Sequence, residues 1–277
     1  MKKFVLILLM FAASIATATD IRVPFGPGGL SGQLAESLSA SAFNGSWKTT
    51  YLGNCKIGET QFRAGTGELY ILPLSFTVNG DCRFDITADN IVDIPYSQSL
   101  ALCHQRQRPE LGLKHFLDVD SKKTVMSIHV LAPVVSNWSK SLGLKQTRVI
   151  SDGKAANVLA SSFTNEGDYF LLDTSSAIKQ PHLTCMFNTG EKDLANFAPA
   201  MKKTLPQLKN TVVYQSQMLI TPSPALKQKL LSDIAVLKKS PEWKRRVDDP
   251  GIISDPIQDL GKFFNEQQQL LKDINNR

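Results

Sequence analysis

Residues 21–33, IRVPFGPGGLSGQ, constrain the fold of this chain more than any other stretch. Ile21, Val23 and Phe25 alternate as a short strand requires, Gly26, Pro27, Gly28 and Gly29 make a turn, and a helix starts directly behind. Glycine permits positive φ and the close approach of another group. A strand that runs through such a turn into a helix aims unpaired backbone N–H groups outward, with the positive end of the helix macrodipole behind them. Such a cradle suits an anion without any cationic side chain. Two nucleotide-binding versions fail on spacing. The dinucleotide fingerprint G-x-G-x-x-G needs a third glycine where Ser31 stands and an acid about 20 residues on, and Trp47–Leu52 contains none. A P-loop needs Lys after its last glycine, where Gln33 follows Gly32.

Upstream of the cradle, Lys2 and Lys3 precede an apolar run from Phe4 to Ala13, and Ala16-Thr17-Ala18 has the small-x-small pattern of a signal-peptidase site. The expectation is a leader over 1–18, a mature chain from Thr19, and export to the periplasm. The apolar run is too short to span a bilayer core, which takes about 20 residues. No cysteine at the cut offers a lipid anchor. The formal net charge is +6, and loss of the two leader lysines leaves about +4, too little to point to a polyanionic partner. A nucleic-acid surface needs a concentrated basic stripe with aromatics between. The best candidate, Lys238, Lys239, Lys244, Arg245 and Arg246, is broken by Pro241 and Glu242 and followed by Asp248 and Asp249. No nucleic-acid partner is expected.

Four cysteines, Cys55, Cys82, Cys103 and Cys185, form an even set, and in an exported chain that favours disulfides over thiols. Three pairings are open at this point. No C-x-x-C occurs, and His104, His115, His129 and His182 stand singly, so neither a metal site nor a cofactor is expected. Nor is an enzyme: the chain has no G-x-S-x-G elbow, and no acid-histidine-serine set follows from spacing.

Beyond the cradle, Leu30, Leu34 and Leu38 predict a helix of about three turns. Strands are expected at Trp47–Leu52, from Glu68 until Pro73 ends it near Leu74 and Ser75, at Ser99–Cys103, within Thr124–Ala132, at Arg148–Ile150, Tyr169–Leu172 and Leu183–Phe187, and over Thr211–Ile220. Helices are expected over Val134–Leu144, closed by Gly143, and through Val158, Leu159 and Phe163. This alternation predicts an α/β fold of largely parallel sheets with helices outside. The polar end of the 169–172 strand, Asp173, Thr174, Ser175 and Ser176, lies where ligands bind in open α/β sheets. In the last quarter, Ser223-Pro224, Ser240-Pro241 and Asp255-Pro256 each place a capping residue before a proline at the first helical position. Leu226, Leu230, Ile234 and Leu237 make one apolar stripe, and Leu260, Phe264, Leu271 and Ile274 another, both expected to pack on the first sheet.

Five collinear segments resemble one family. IRVPFGPGGLSG is similar to the first strand and loop of the tripartite tricarboxylate transporter solute receptors, the TctC or Bug family, usually V-P-F-x-P-G-G-x-x-D. GELYILPL (67–74), VISDGKAA (149–156), GDYFLLDTSSAI (167–178) and VYQSQMLITPSP (213–224) resemble later segments in the same order, and Pro241-Glu242 falls at the matching place of the helical tail. The resemblance implies a two-lobed periplasmic binding protein of type II, with a hinge and a ligand cleft between the lobes. Lobe one would hold 19–102 and the return segment 213–277, and lobe two 103–212. It implies a monomer that captures a small carboxylate, a di- or tricarboxylate or related organic acid, and delivers it to the membrane subunits of a transporter. An orphan binding module for sensing or scavenging is the alternative.

Carried over residue by residue, Phe25, Gly26, Pro27, Gly28, Gly29, Leu30 and Ser31 are first-loop contacts, Leu74 and Ser75 the second lip, Ser151 and Gly153 the third, Asp173 and Thr174 the fourth. The chain departs from the family text at Gly32, in place of the loop aspartate, and at Ser151-Asp152, in place of Tyr-Lys. Ser127-Ile128-His129 replaces a small Gly-Ser loop, which makes His129 a candidate for a distal carboxylate. If lobe two is entered at Leu100–Cys103 and left after Leu183–Phe187, those strands lie side by side, and Cys103 pairs with Cys185, leaving Cys55 with Cys82.

Overall fold

Alternating burial of Thr19, Ile21 and Val23 sets strand β1 (Thr19–Val23) between β2 (Trp47–Tyr51) and β3 (Leu69–Pro73), parallel to both. The computed structural model describes residues 19–25, 27, 30–42, 45–78, 83–128, 131–152, 155–190, 192–208, 214–245 and 257–275. Helix α1 (Leu30–Ser41) turns Leu34, Ala35 and Leu38 onto β1 and β3, as the leucine spacing predicts. After β3 the chain tightens into a 3₁₀ turn, Leu74–Thr77, because Pro73 cannot donate to a further ladder bond.

Strand β4 (Ile91–Gln105) is much longer than the expected Ser99–Cys103. At about 3.3 Å per residue its 15 residues reach roughly 50 Å, enough to serve two sheet halves. Its first part, Ile91 to Ser99, pairs antiparallel with β9 (Tyr214–Ile220), which in turn pairs with β3. Its second part, from Leu100, pairs antiparallel with β7 (Tyr169–Asp173) on one side and β8 (Leu183–Asn188) on the other. Beyond β7 lie β5 (Lys123–Ile128) and β6 (Thr147–Asp152), both parallel to their neighbours. The strand order is β2-β1-β3-β9-β4-β7-β5-β6, with β8 also on β4. The expectation of largely parallel sheets is corrected: every pairing that involves β4 or β9 is antiparallel. Each βα unit makes parallel neighbours, whereas the two connecting strands run against them.

Helix α4 (Ala132–Ser141) buries Val134, Val135 and Trp138, and Gly143 closes it at φ 69°. Helix α5 (Ala155–Thr164) places Val158 against Met126 and Phe170. Among the helices beyond those expected are α2 (Cys55–Arg63), capped by the Asn54 side chain accepting from Lys56 N–H, and α3 (Leu113–Leu117). Helix α6 (Thr174–Ile178) follows β7 directly, and α7 (Met201–Thr204) is a short helix after β8. In the tail, α8 (Pro224–Leu237) buries Leu230, Ile234 and Leu237 among the core residues of β1 and β3. Helix α9 (Pro241–Trp243) has the Ser240 hydroxyl accepting from Trp243 N–H. Helix α10 (Leu260–Asn275) packs Phe264, Leu271 and Ile274 on the opposite face. Asp255-Pro256 lies outside the described residues.

Cys103 and Cys185 face each other in the β4–β8 register and are joined by a disulfide. Cys55 is also disulfide-bonded, and Cys82, its expected partner, lies outside the described residues. Acids partner the tail basic cluster: Lys238 pairs with Asp93 of β4, and Arg245 forks onto Glu242. No described helix is long and apolar enough to cross a membrane.

Candidate functional site

Directly paired residues in a ladder point to the same side, and the side alternates every residue. In the β4–β9 pair, Tyr96 stands opposite Gln217 and Gln98 opposite Gln215. One side of this two-stranded ribbon therefore carries Tyr96, Gln98, Gln215 and Gln217. At the Tyr96–Gln217 pair, each strand of the ribbon reaches a different lip. The buried Ser31 hydroxyl, in the first turn of α1, donates to Gln217 Oε1 at 2.6 Å. The Tyr96 phenol meets Ser175 in α6 and sits close enough to Asp173 to feel its charge. Burial, and after it the Asp173 charge, push that phenol well above its usual pKa despite the Ser175 hydrogen bond. The side chains of β4 and β9 thus join the helix behind the glycine turn to the polar end of β7. Tyr96, Gln98 and Gln217 were not anticipated. Their signal was present as two polar runs, YSQS (96–99) and YQSQ (214–217), inside otherwise apolar strands.

Of the first-loop residues, Phe25 is half-buried with its ring 4.9 Å from Phe76, which follows Ser75 in the 3₁₀ turn. Pro27 is exposed and Leu30 half-buried. Gly26, Gly28, Gly29, Gly153 and His129 lie outside the described residues. Leu74 is buried in the core, and Ser75 beside it is half-buried. Where the resemblance expects an aspartate, Gly32 lies against the Tyr51 ring; a Cβ there would stand 3.4 Å from it. Tyr51 donates to Glu36 Oε1 at 2.7 Å, and burial together with that carboxylate pushes its phenol up to about 12. Ser151 is half-buried on β6, opposite Ser127 of β5.

Asp173 is the N-cap of α6, with Oδ1 accepting from Ser176 N–H at 2.8 Å, and Thr174 behind it is fully buried. Asp173→Ala is expected to cost about 1 kcal/mol in a urea unfolding experiment, whereas Asp173→Asn, which still caps, keeps nearly all of it. An equal loss in both variants would mean that the charge, and not the cap, does the work.

The Ser31–Gln217 and Tyr96–Ser175 contacts use neutral groups throughout. Hydroxyls and amides of this kind hold a small polar solute by hydrogen bonds with defined direction. Among the described residues no group of three or more His, Cys, Asp or Glu is placed to hold a metal ion.

No protein-family model and no curated protein sequence matches this chain. Solved structures do. MatC from Rhodopseudomonas palustris, with bound malate, superposes with a TM-score of 0.72 at 14% identity, covering 93% of this chain and 98% of that one. A TctC solute-binding protein from Polaromonas, without ligand, gives 0.68 at 14% identity over 94% and 98%. A second R. palustris protein, with adipate, gives 0.68 at 10% identity over 94% and 96%. The chain has the two-lobed α/β fold of these TctC-type solute-binding proteins.

Proposed function

We propose that this chain is a periplasmic receptor that captures a small carboxylate in the cleft between its lobes and delivers it to the membrane subunits of a transporter. The lobes are 19–102 with 213–277, and 103–212. The observation that carries the reading is the β4–β9 ribbon, one side of which is hydrogen-bonded to α1 through Gln217 and Ser31 and brings Tyr96 beside Asp173 and Ser175 at the end of β7. A solute held there touches both lobes, so its binding energy favours their closure. The glycine turn ahead of α1 supplies backbone donors for a carboxylate, and the fold neighbours with malate and adipate support an organic acid as the solute. The chain works as a monomer after its leader, 1–18, is removed.

A thermal-shift screen of protein stripped of ligand by unfolding and refolding tests this, with mono-, di- and tricarboxylates and amino acids as probes. A ligand at 100 times its Kd adds about 2.7 kcal/mol, which raises the Tm of a protein this size by roughly 5–10 °C. A flat response from well-folded protein across every acid would overturn the carboxylate reading.

A further inference from the structure

Gln98 is 1% exposed, and neither its Nε2 nor its Oε1 has a hydrogen-bond partner. Buried polar groups are paired in nearly every case, and an amide unpaired at both ends is destabilising until something meets it. Its place narrows what that is. Gln98 lies two residues from Tyr96, on the same side of the ribbon, and Tyr96 reaches Ser175. The residue before Ser175, Thr174, is 0% exposed, and its Oγ1 is likewise without a partner. Two unsatisfied buried side chains, Gln98 on β4 and Thr174 on α6, thus stand close in the chain to the two partners of the Tyr96–Ser175 contact. A plain carboxylate offers acceptors only, so it satisfies Gln98 Nε2 and the Thr174 hydroxyl but leaves Gln98 Oε1 unmet. An acid with a hydrogen-bond donor on the carbon next to its carboxylate offers both kinds of group side by side, as an amide does.

We propose that Gln98 is a specificity-determining residue: its Nε2 donates to a carboxylate oxygen of the ligand while its Oε1 accepts from a neighbouring hydroxyl or ammonium, so that the ligand is a 2-hydroxy or 2-amino acid. This rests on the carboxylate-receptor reading above. A site built to hydrogen-bond such a group rejects the analogue that lacks it, because its own polar atoms are then left unpaired.

Three series on matched skeletons test it by calorimetric titration of the mature protein: succinate, malate and aspartate; propionate, lactate and alanine; glutarate, 2-hydroxyglutarate and glutamate. In at least one series the hydroxy or amino member is expected to bind at least about 10-fold more tightly than the unsubstituted acid. Which substituted member wins distinguishes hydroxyl from ammonium. In Gln98→Met, of similar length and without polar ends, that preference is expected to fall to within about 2-fold, and the Tm of the ligand-free protein to stay level or rise. Unsubstituted acids that bind as tightly as their partners overturn the role of Gln98 and leave the receptor reading standing. A preference that survives Gln98→Met, or a ligand-free Tm that falls in that variant, overturns it as well. Absence of binding by every acid overturns both.

Discussion

Replacing Cys103 and Cys185 together by alanine is expected to lower the midpoint of thermal unfolding by roughly 10–15 °C. The two cysteines are 82 residues apart in sequence, and the link between them closes the second half of the sheet into a loop. In the chain-entropy account, a closure of that length withholds about 4.5 kcal/mol of freedom from the unfolded chain. For a protein of this size each kcal/mol is worth about 2–4 °C of Tm. The loss arises in the unfolded state, so the variant chain also unfolds to a more expanded ensemble, and its denaturant slope is expected to rise. Calorimetry and urea titration under oxidising conditions read both quantities while the Cys55 disulfide stays intact. A fall under about 3 °C would mean that the unfolded chain is already held compact by other contacts.

The pairing itself was legible because it followed from the order of the chain. Once a middle segment is entered near Leu100–Cys103 and left after Leu183–Phe187, adjacent strands put Cys103 beside Cys185. Local pattern was equally sufficient for α1, where Leu34 and Leu38 face the core, and for the tail stripes of α8 and α10. It failed at β4. Pro95 and Asp93 interrupt the apolar alternation, and the register shifts between Asp93 and Tyr96 show the bulge by which the strand accommodates a residue that cannot donate. It also failed at α2, where the exposed Lys56, Thr60 and Arg63 hid Phe62 on the inward side. The direction of β9 was beyond local pattern altogether, because it depends on how the chain returns across the sheet.

The site divides along the same line. Ser31 was reached through the glycine turn, and Asp173 and Thr174 through the rule that ligands gather at the carboxyl ends of strands. Gln98, Tyr96 and Gln217 were missed because polar residues on a strand read as solvent-facing until the neighbours that cover them are known. The Ser31 hydrogen bond to Gln217 and the packing of α6 on β4 contribute to covering them, which is a tertiary fact. The two sources of information are complementary: turn residues in the sequence point to candidate backbone donors, and register brings together side chains that the sequence leaves scattered.

Trp138→Ala is expected to cost about 3–5 kcal/mol, and with it roughly 10 °C of Tm. Trp138 is 0% exposed, and its ring meets Phe187 edge-on at 5.6 Å, the first step of an aromatic chain that continues through Phe116 to Tyr169. Truncation leaves a cavity between α4 and β8 that the disulfide-linked strands cannot collapse to fill. Trp138→Phe keeps an aromatic edge on Phe187 and is expected to cost clearly less. The chain has three tryptophans, and the other two, Trp47 and Trp243, belong to the core beneath α1 and α8. In Trp138→Ala, tryptophan fluorescence therefore reports the first sheet half alone, while far-UV circular dichroism reports the whole. The largest core cluster runs from Tyr70, Met218 and Phe264 through to Trp138, Leu171 and Phe187, and α10 packs on α4. One shared strand, β4, and a shared core couple the halves, so the two probes are expected to show coincident transitions at a lowered urea midpoint. Separate transitions, with dichroism lost first, would show that the half containing α4 unfolds alone, and that any closure of the lobes on a ligand is between two independently stable bodies.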